Sequence, residues 1–169
     1  MGTFHSVFAR ILRSDGTYLG YPSSFTIYDT SDSKSLVKKI IKEMNLNDQI
    51  YKPAEIYGRI SSAKNNLITP AKYFSSSQLM EQDKVHRKPH IADIYKLYAQ
   101  RCKKADAMDF DDLLLNMHIL LRDFPEVLDK YQEQFRYLLV DEYQDTNYVQ
   151  YLISKQLSEK HKNICVVGD

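Results

Sequence analysis

The sequence predicts a mainly α-helical chain with a small α/β part near its C-terminal end. Three observations predict it. Apolar residues recur at helical spacing through most of the stretch from residue 4 to 134. Prolines and capping residues stand where those stretches begin. Two continuous apolar runs, YLLV before Asp141 and NICVV before Gly168, flank a helical stretch, which is the order of a βαβ unit with parallel strands.

Taken in order, FHSVFARILR places Phe4, Phe8, Ile11 and Leu12 on one helical face, with Thr3 as N-cap. Gly16, Gly20 and Pro22 break that pattern. SFTIYDT reads either as an extended segment or as a loop. Residues 33–46 form a helix with Leu36, Val37, Ile40, Ile41 and Met44 inward. Pro53 opens the next, with Ile56, Ile60 and Ala63 inward, and Pro70 can start another. FSSSQLMEQDKVHRKPH is polar, basic and interrupted by Pro89, so a loop or a short mobile helix is expected. Ile91, Ile94, Tyr95, Tyr98 and Cys102 then mark a helix, as do Phe110, Leu113, Leu114, Met117 and Leu121. Pro125 opens a short one. YLLV suits a strand covered on both faces, residues 146–159 a helix, and NICVV a second buried strand.

No apolar run approaches the ~20 residues that span a bilayer, and residues 1–6 lack the pattern of a signal peptide. Cys102 and Cys165, far apart, suggest no disulfide framework. A reducing cytoplasm and small, mostly buried thiols are the expectation. The net charge of +1 hides an asymmetry: residues 1–108 hold 17 Lys+Arg against 10 Asp+Glu, and residues 109–169 hold 6 against 12. A basic part for a polyanion and an acidic part for a cation is one reading; solvated helix faces are the other.

YLLVDEYQDTN carries the chemistry. A buried strand ending in Asp141-Glu142 puts two carboxylates at its C-terminal edge, where ligands sit in open α/β sheets. One can hold Mg²⁺ and the other can orient an attacking water. An acidic strand end meeting solvent is the plainer alternative. Asp109, Asp111 and Asp112 read as a helix cap and first turn rather than a metal site, because neighbours on a helix diverge by about 100°. The five histidines form no metal pattern.

LLVDEYQDTNYVQ is similar to motif II of the superfamily 1 DNA helicases of the UvrD/Rep/PcrA kind. GTFHSVFARILR resembles that family's early strand-contacting motif, MDFDDLLL the segment before motif II, and VVGD the opening of motif III. RISSAKNNLITP resembles the family's helical insertion. The resemblance covers nearly the whole chain, in the family's order. No glycine here precedes a lysine, so the Gly-x-x-x-x-Gly-Lys-Ser/Thr phosphate loop is not in this sequence. The family places that loop upstream of Thr3, and motif III breaks off at Asp169.

The resemblance implies a helical, 1B-like insertion over 1–108 and a parallel βαβ piece of a RecA-like P-loop NTPase domain (1A) over 109–169. It implies a middle piece of an ATP-dependent 3′-to-5′ DNA helicase acting in repair, replication or recombination, inactive alone. Asp141 aligns with the Mg²⁺ ligand, Glu142 with the catalytic residue that activates water, and Gln144 and Asp145 with positions that couple the nucleotide site to neighbouring motifs. Thr3, Phe4, His5 and Ser6 match the DNA-contacting motif. Arg10 has reach for phosphate, and Phe4 also fits core packing. ATP and Mg²⁺ are the implied ligands, and single-stranded DNA and single/double-strand junctions the implied partners. Lys64 and Asn65 have a family look without an assignable role. The alternative is a stand-alone helical nucleic-acid- or protein-binding module with a vestigial motif II.

Overall fold

Helices account for most of the computed structural model, which describes residues 1–169, and all four strands are three residues long. The chain divides into two compact units, one of Phe25–Asp111 and one of Met1–Ser24 with Asp112–Asp169. The chain passes from one unit to the other at residues 24/25 and 111/112.

In the Phe25–Asp111 unit, strand β1 (Thr26–Tyr28) leads into helix α2 (Thr30–Glu43). Asp29 starts that helix with a capping box: its carboxylate accepts from Asp32 N at 2.8 Å, and the Asp32 carboxylate accepts from Asp29 N. Pro53 stands in the first turn of α3 (Pro53–Asn65), and Thr69 caps α4 (Pro70–Ser75). Ser76 then caps α5 (Ser77–Val85), so nine residues of the polar stretch expected as a loop or short mobile helix form a helix, followed by turns through His90. Its anchor is Asp83, which is buried and held by Arg59 Nη2 of α3 at 2.6 Å and Tyr73 Oη of α4 at 2.7 Å. A buried carboxylate is invisible in a run that reads as polar throughout. Helix α6 (Ile91–Lys104) buries all five residues assigned to its stripe. Val37, Ile40, Ile41, Ile56, Ile60, Tyr73, Ile94, Tyr95 and Tyr98 form one core. Strand β2 (Ala107–Asp109) closes the unit by pairing parallel to β1, Thr26 opposite Ala107. SFTIYDT is therefore extended, and its partner strand has no counterpart in the sequence reading.

In the other unit, α1 (Phe4–Asp15) buries Phe8, Ile11 and Leu12. Helix α7 (Phe110–Asp123) bridges the boundary residue; Leu113, Leu114, Met117 and Leu121 are buried, whereas Phe110, expected in the same stripe, is exposed. After α8 (Pro125–Gln134), β3 (Leu138–Val140), α9 (Tyr148–Ser158) and β4 (Ile164–Val166) form the expected βαβ unit with parallel strands, Leu139 opposite Cys165. Helix α9 packs on β3 and α8. The strands are not covered on both faces as expected: Val140 is buried, but Leu139 is 69% exposed and every residue of β4 is exposed. One helix shields one side of a two-stranded ribbon. For the same reason Cys165 is exposed, while Cys102 is buried as expected. No helix is long and apolar enough to cross a membrane.

Candidate functional site

The segment DEYQDTN changes backbone direction residue by residue. Val140 ends β3, Asp141 and Glu142 are exposed beyond it, and Tyr143–Asp145 form one 3₁₀ turn. Glu142 is left-handed, with φ 50° and ψ 44°. A residue with a Cβ enters that region at a cost, so its surroundings must hold it there. Glu142 N donates to Asp141 Oδ1 at 2.9 Å, and Asp145 N donates to Glu142 O at 2.9 Å. Asn147 then caps α9 in a reciprocal box with Gln150. Thr146 Oγ1 donates to Tyr143 O at 2.8 Å, so Thr146 and Asn147 each have a local structural use as well.

The start of motif III is tied to this turn. Val167 N donates to Val140 O and Tyr143 N donates to Val167 O, both at 2.9 Å, which carries the ladder beyond the end of β4. Gly168 follows. A Cβ there would collide with Gln144 Oε1 and lie 3.2 Å from Tyr143 N and 3.3 Å from Gln144 N. The glycine allows close approach of two segments, and its backbone conformation is not the reason it is needed.

The side chains of the acidic pair are placed differently. Gln144 Nε2 donates to Glu142 Oε2 at 2.6 Å, whereas the second oxygen of Asp141 is left over beyond its backbone bond. Both carboxylates are hard oxygen donors suited to Mg²⁺. No group of three or more His, Cys, Asp or Glu side chains is arranged to hold a metal ion. The donor set therefore fits an ion that takes one or two carboxylates and completes its shell with phosphate oxygens and water. Asp145 is exposed, with its backbone N–H used in the turn.

The residues matched to strand contact sit at the N-terminus of α1. Thr3 Oγ1 accepts from Ser6 N at 3.3 Å, and Ser6 Oγ donates to Thr3 O at 2.9 Å, so both hydroxyls serve the cap. The Phe4 ring lies 5.6 Å from that of Phe8, joined to the helix's apolar face while still half-exposed. His5 is half-exposed and Arg10 exposed. Arg10 and Lys130 line an open cleft of about 460 Å³ with Val7, Ser14 and Phe135.

Two residues without an assignable role in the sequence acquire one. Lys64 Nζ lies 2.7 Å from Asp109 Oδ2, and Tyr98 Oη donates to the same oxygen at 2.7 Å; all three groups are buried. Asn65 Nδ2 donates to Asp111 Oδ1 at 3.0 Å. Reading Asp109 and Asp111 as a helix cap and first turn was incomplete, because their carboxylates hold α3. Burial, and then the Asp109 charge, push the Tyr98 phenol well above its ordinary range; burial with the Asp109 and Asp111 charges pushes Tyr57 up to about 12. Nothing in the spacing of AKN and MDFDD announced that pairing.

Comparison with known proteins identifies the family. The UvrD/REP helicase N-terminal domain family matches residues 1–169. The chain is 44% identical to the ATP-dependent DNA helicase PcrA of Bacillus subtilis (strain 168) and 42% identical to those of Leuconostoc citreum and Staphylococcus aureus. Each match covers all of this chain and 22% of the relative, so the chain spans about a fifth of the length of the curated relatives it matches. The resemblance noted in the motifs extends over the whole sequence, and the chain belongs to the UvrD/REP helicase N-terminal domain family.

Proposed function

We propose that this chain is a segment of an ATP-dependent DNA helicase that moves 3′-to-5′ on single-stranded DNA and engages single/double-strand junctions. Within that reading, residues 1–108 belong to a 1B-like helical insertion and residues 109–169, with the βαβ piece, to a RecA-like domain. The observation that carries the reading is the Asp141–Glu142 pair at the end of β3, tied by the Tyr143–Val167 backbone bond to VVGD. Relatives named ATP-dependent DNA helicases, matched over the full chain, support it.

Asp141 would hold Mg²⁺, which would neutralise charge on the phosphoryl group being transferred. Glu142 takes a proton from water as the water oxygen bonds to the γ-phosphorus and the bond to the bridging β-phosphate oxygen breaks. Gln144 and Asp145 link this site to neighbouring motifs. Thr3, Phe4, His5, Ser6 and Arg10 present hydroxyls, an imidazole, a ring and a guanidinium to the strand. The work of such a protein is in repair, replication or recombination, in the cytoplasm.

The isolated 169-residue chain does not hydrolyse ATP on this reading, because its sequence has no phosphate loop. The test is Glu142→Gln in a full-length helicase carrying this segment. Hydrolysis stops while nucleotide binding, followed by fluorescence of an ATP analogue, persists. Continued DNA-stimulated turnover in that variant refutes the assignment, as does turnover by the isolated chain.

A further inference from the structure

We infer that Gln144 is a positioning residue for Glu142, and that Gly168 keeps it in position. This rests on the reading of Glu142 as the base. The Glu142 backbone is held by three neighbours: Asp141 Oδ1 on its N–H, Asp145 N–H on its carbonyl, and the Tyr143–Val167 bond just beyond. Its carboxylate is exposed, and its side-chain hydrogen bond is to the amide of Gln144, at 2.6 Å. A flexible, exposed carboxylate is aimed only by what it is bonded to. The backbone therefore fixes where Glu142 starts, and Gln144 selects where its carboxylate ends.

Gly168 enters because Gln144 has two ends. Its amide nitrogen faces Glu142, and its amide oxygen occupies the space a methyl group on residue 168 would take. Of the three atoms such a methyl would crowd, Tyr143 N and Gln144 N are backbone held by the turn, and Oε1 is the free end of a side chain. The easiest relief is a swing of the Gln144 amide, which withdraws its N–H from Glu142. Since the φ of Gly168 lies outside the left-handed region, alanine adds no backbone strain to confuse the result. Motif III thus reaches the base by way of Gln144, and a movement of Gly168 would be felt at Glu142.

The experiment is steady-state, DNA-stimulated ATP hydrolysis by a full-length helicase carrying this segment. Gln144→Ala lowers kcat roughly ten- to a hundredfold, the scale expected for a misplaced catalytic group, with KM for ATP unchanged. Gly168→Ala lowers kcat in the same way, and the double variant is no slower than Gln144→Ala alone. Both positions are exposed, and a thermal denaturation curve for each variant, expected to match the wild type, separates lost positioning from lost fold. An unchanged kcat in Gln144→Ala, a change confined to KM, or losses that multiply in the double variant overturn the positioning role. Wild-type turnover and its loss in Glu142→Gln are measured beside these. If that pair fails, the reading of the site falls and the positioning role falls with it; if it succeeds, only the Gln144 and Gly168 results decide.

Discussion

Lys64 and Asp109 form an ion pair at 2.7 Å with both side chains shut off from solvent, 2% and 0% exposed. The pair joins α3 to the last residue of β2, and the Tyr98 hydroxyl and ring complete it, with Nζ 5.0 Å from the ring centre. Breaking a buried pair leaves one charge without compensation, at a cost of about 3–5 kcal/mol. Lys64→Met is expected to lose that much in a urea denaturation curve. Replacing both partners with apolar residues is expected to lose less. A loss below 1 kcal/mol for Lys64→Met would show that the pair contributes little.

Asp15 gives the fold a dependence on pH. Burial alone would raise its carboxyl, but hydrogen bonds from Lys130, at 2.8 Å, and from the Tyr131 hydroxyl outweigh burial and hold it below its ordinary 3.8. A carboxyl depressed by folding stabilises the native state above its unfolded value, and that contribution fades as pH falls through the lower folded value. Stability is therefore expected to drop as pH goes below about 4. Asp15→Asn should flatten this part of the profile in thermal denaturation at a series of acid pH values. An identical profile would assign the acid sensitivity elsewhere.

Thr3 and Arg10 allow cap and contact to be separated. Thr3→Ala removes the cap of α1 and is expected to cost about 1 kcal/mol of stability. Arg10→Ala touches no cap and is expected to leave stability alone. On the proposed function it weakens binding to a labelled single-stranded oligonucleotide and reduces the salt slope by about one unit or less. The isolated chain should bind such a strand weakly and lose it steeply as salt rises. Salt-independent binding, or full affinity without Arg10, would remove this face from the contact.

Asn147→Ala tests the helix that follows the acidic turn. Its reciprocal box with Gln150 is the start of α9, and losing it is expected to cost about 1 kcal/mol. Hydrogen exchange should rise first at Gln150, whose N–H donates to Asn147 Oδ1 at 2.9 Å. An even rise along α9 would mean that packing, not the cap, sets the order of that helix.

What the sequence made legible followed from periodicity and from residues with one job. The stripes of α3 and α6, the proline starts and the parallel pair β3–β4 all report local pattern and stand where the pattern put them. Helix α2, expected over 33–46, instead runs Thr30–Glu43, because Asp29 caps it three residues earlier, with Val37, Ile40 and Ile41 buried and Leu36 and Met44 partly so. Partners distant in sequence were not legible. Asp83 looked like one more charge in a polar run until Arg59 and Tyr73 closed on it. Strand β2 is three residues long, too short for any alternation, and exists because β1 lies beside it. At the candidate site the residue types named the chemistry. The Gln144–Glu142 bond and the space at Gly168 depend on a left-handed turn that no residue in DEYQD announces.

The pairing of β1 with β2 has a consequence for how the Phe25–Asp111 unit comes together. Thr26 meets Ala107 only when a loop of about eighty residues closes, which costs on the order of 4 kcal/mol in chain entropy. Three ladder positions do not return that much by themselves. The helices between them carry local contacts and condense first, and the strands meet as a late clasp on an assembly already formed. Weakening Ile27 or Met108 should then leave the folding rate nearly unchanged and make the unit open faster, so that the clasp governs how long the unit persists rather than how quickly it appears.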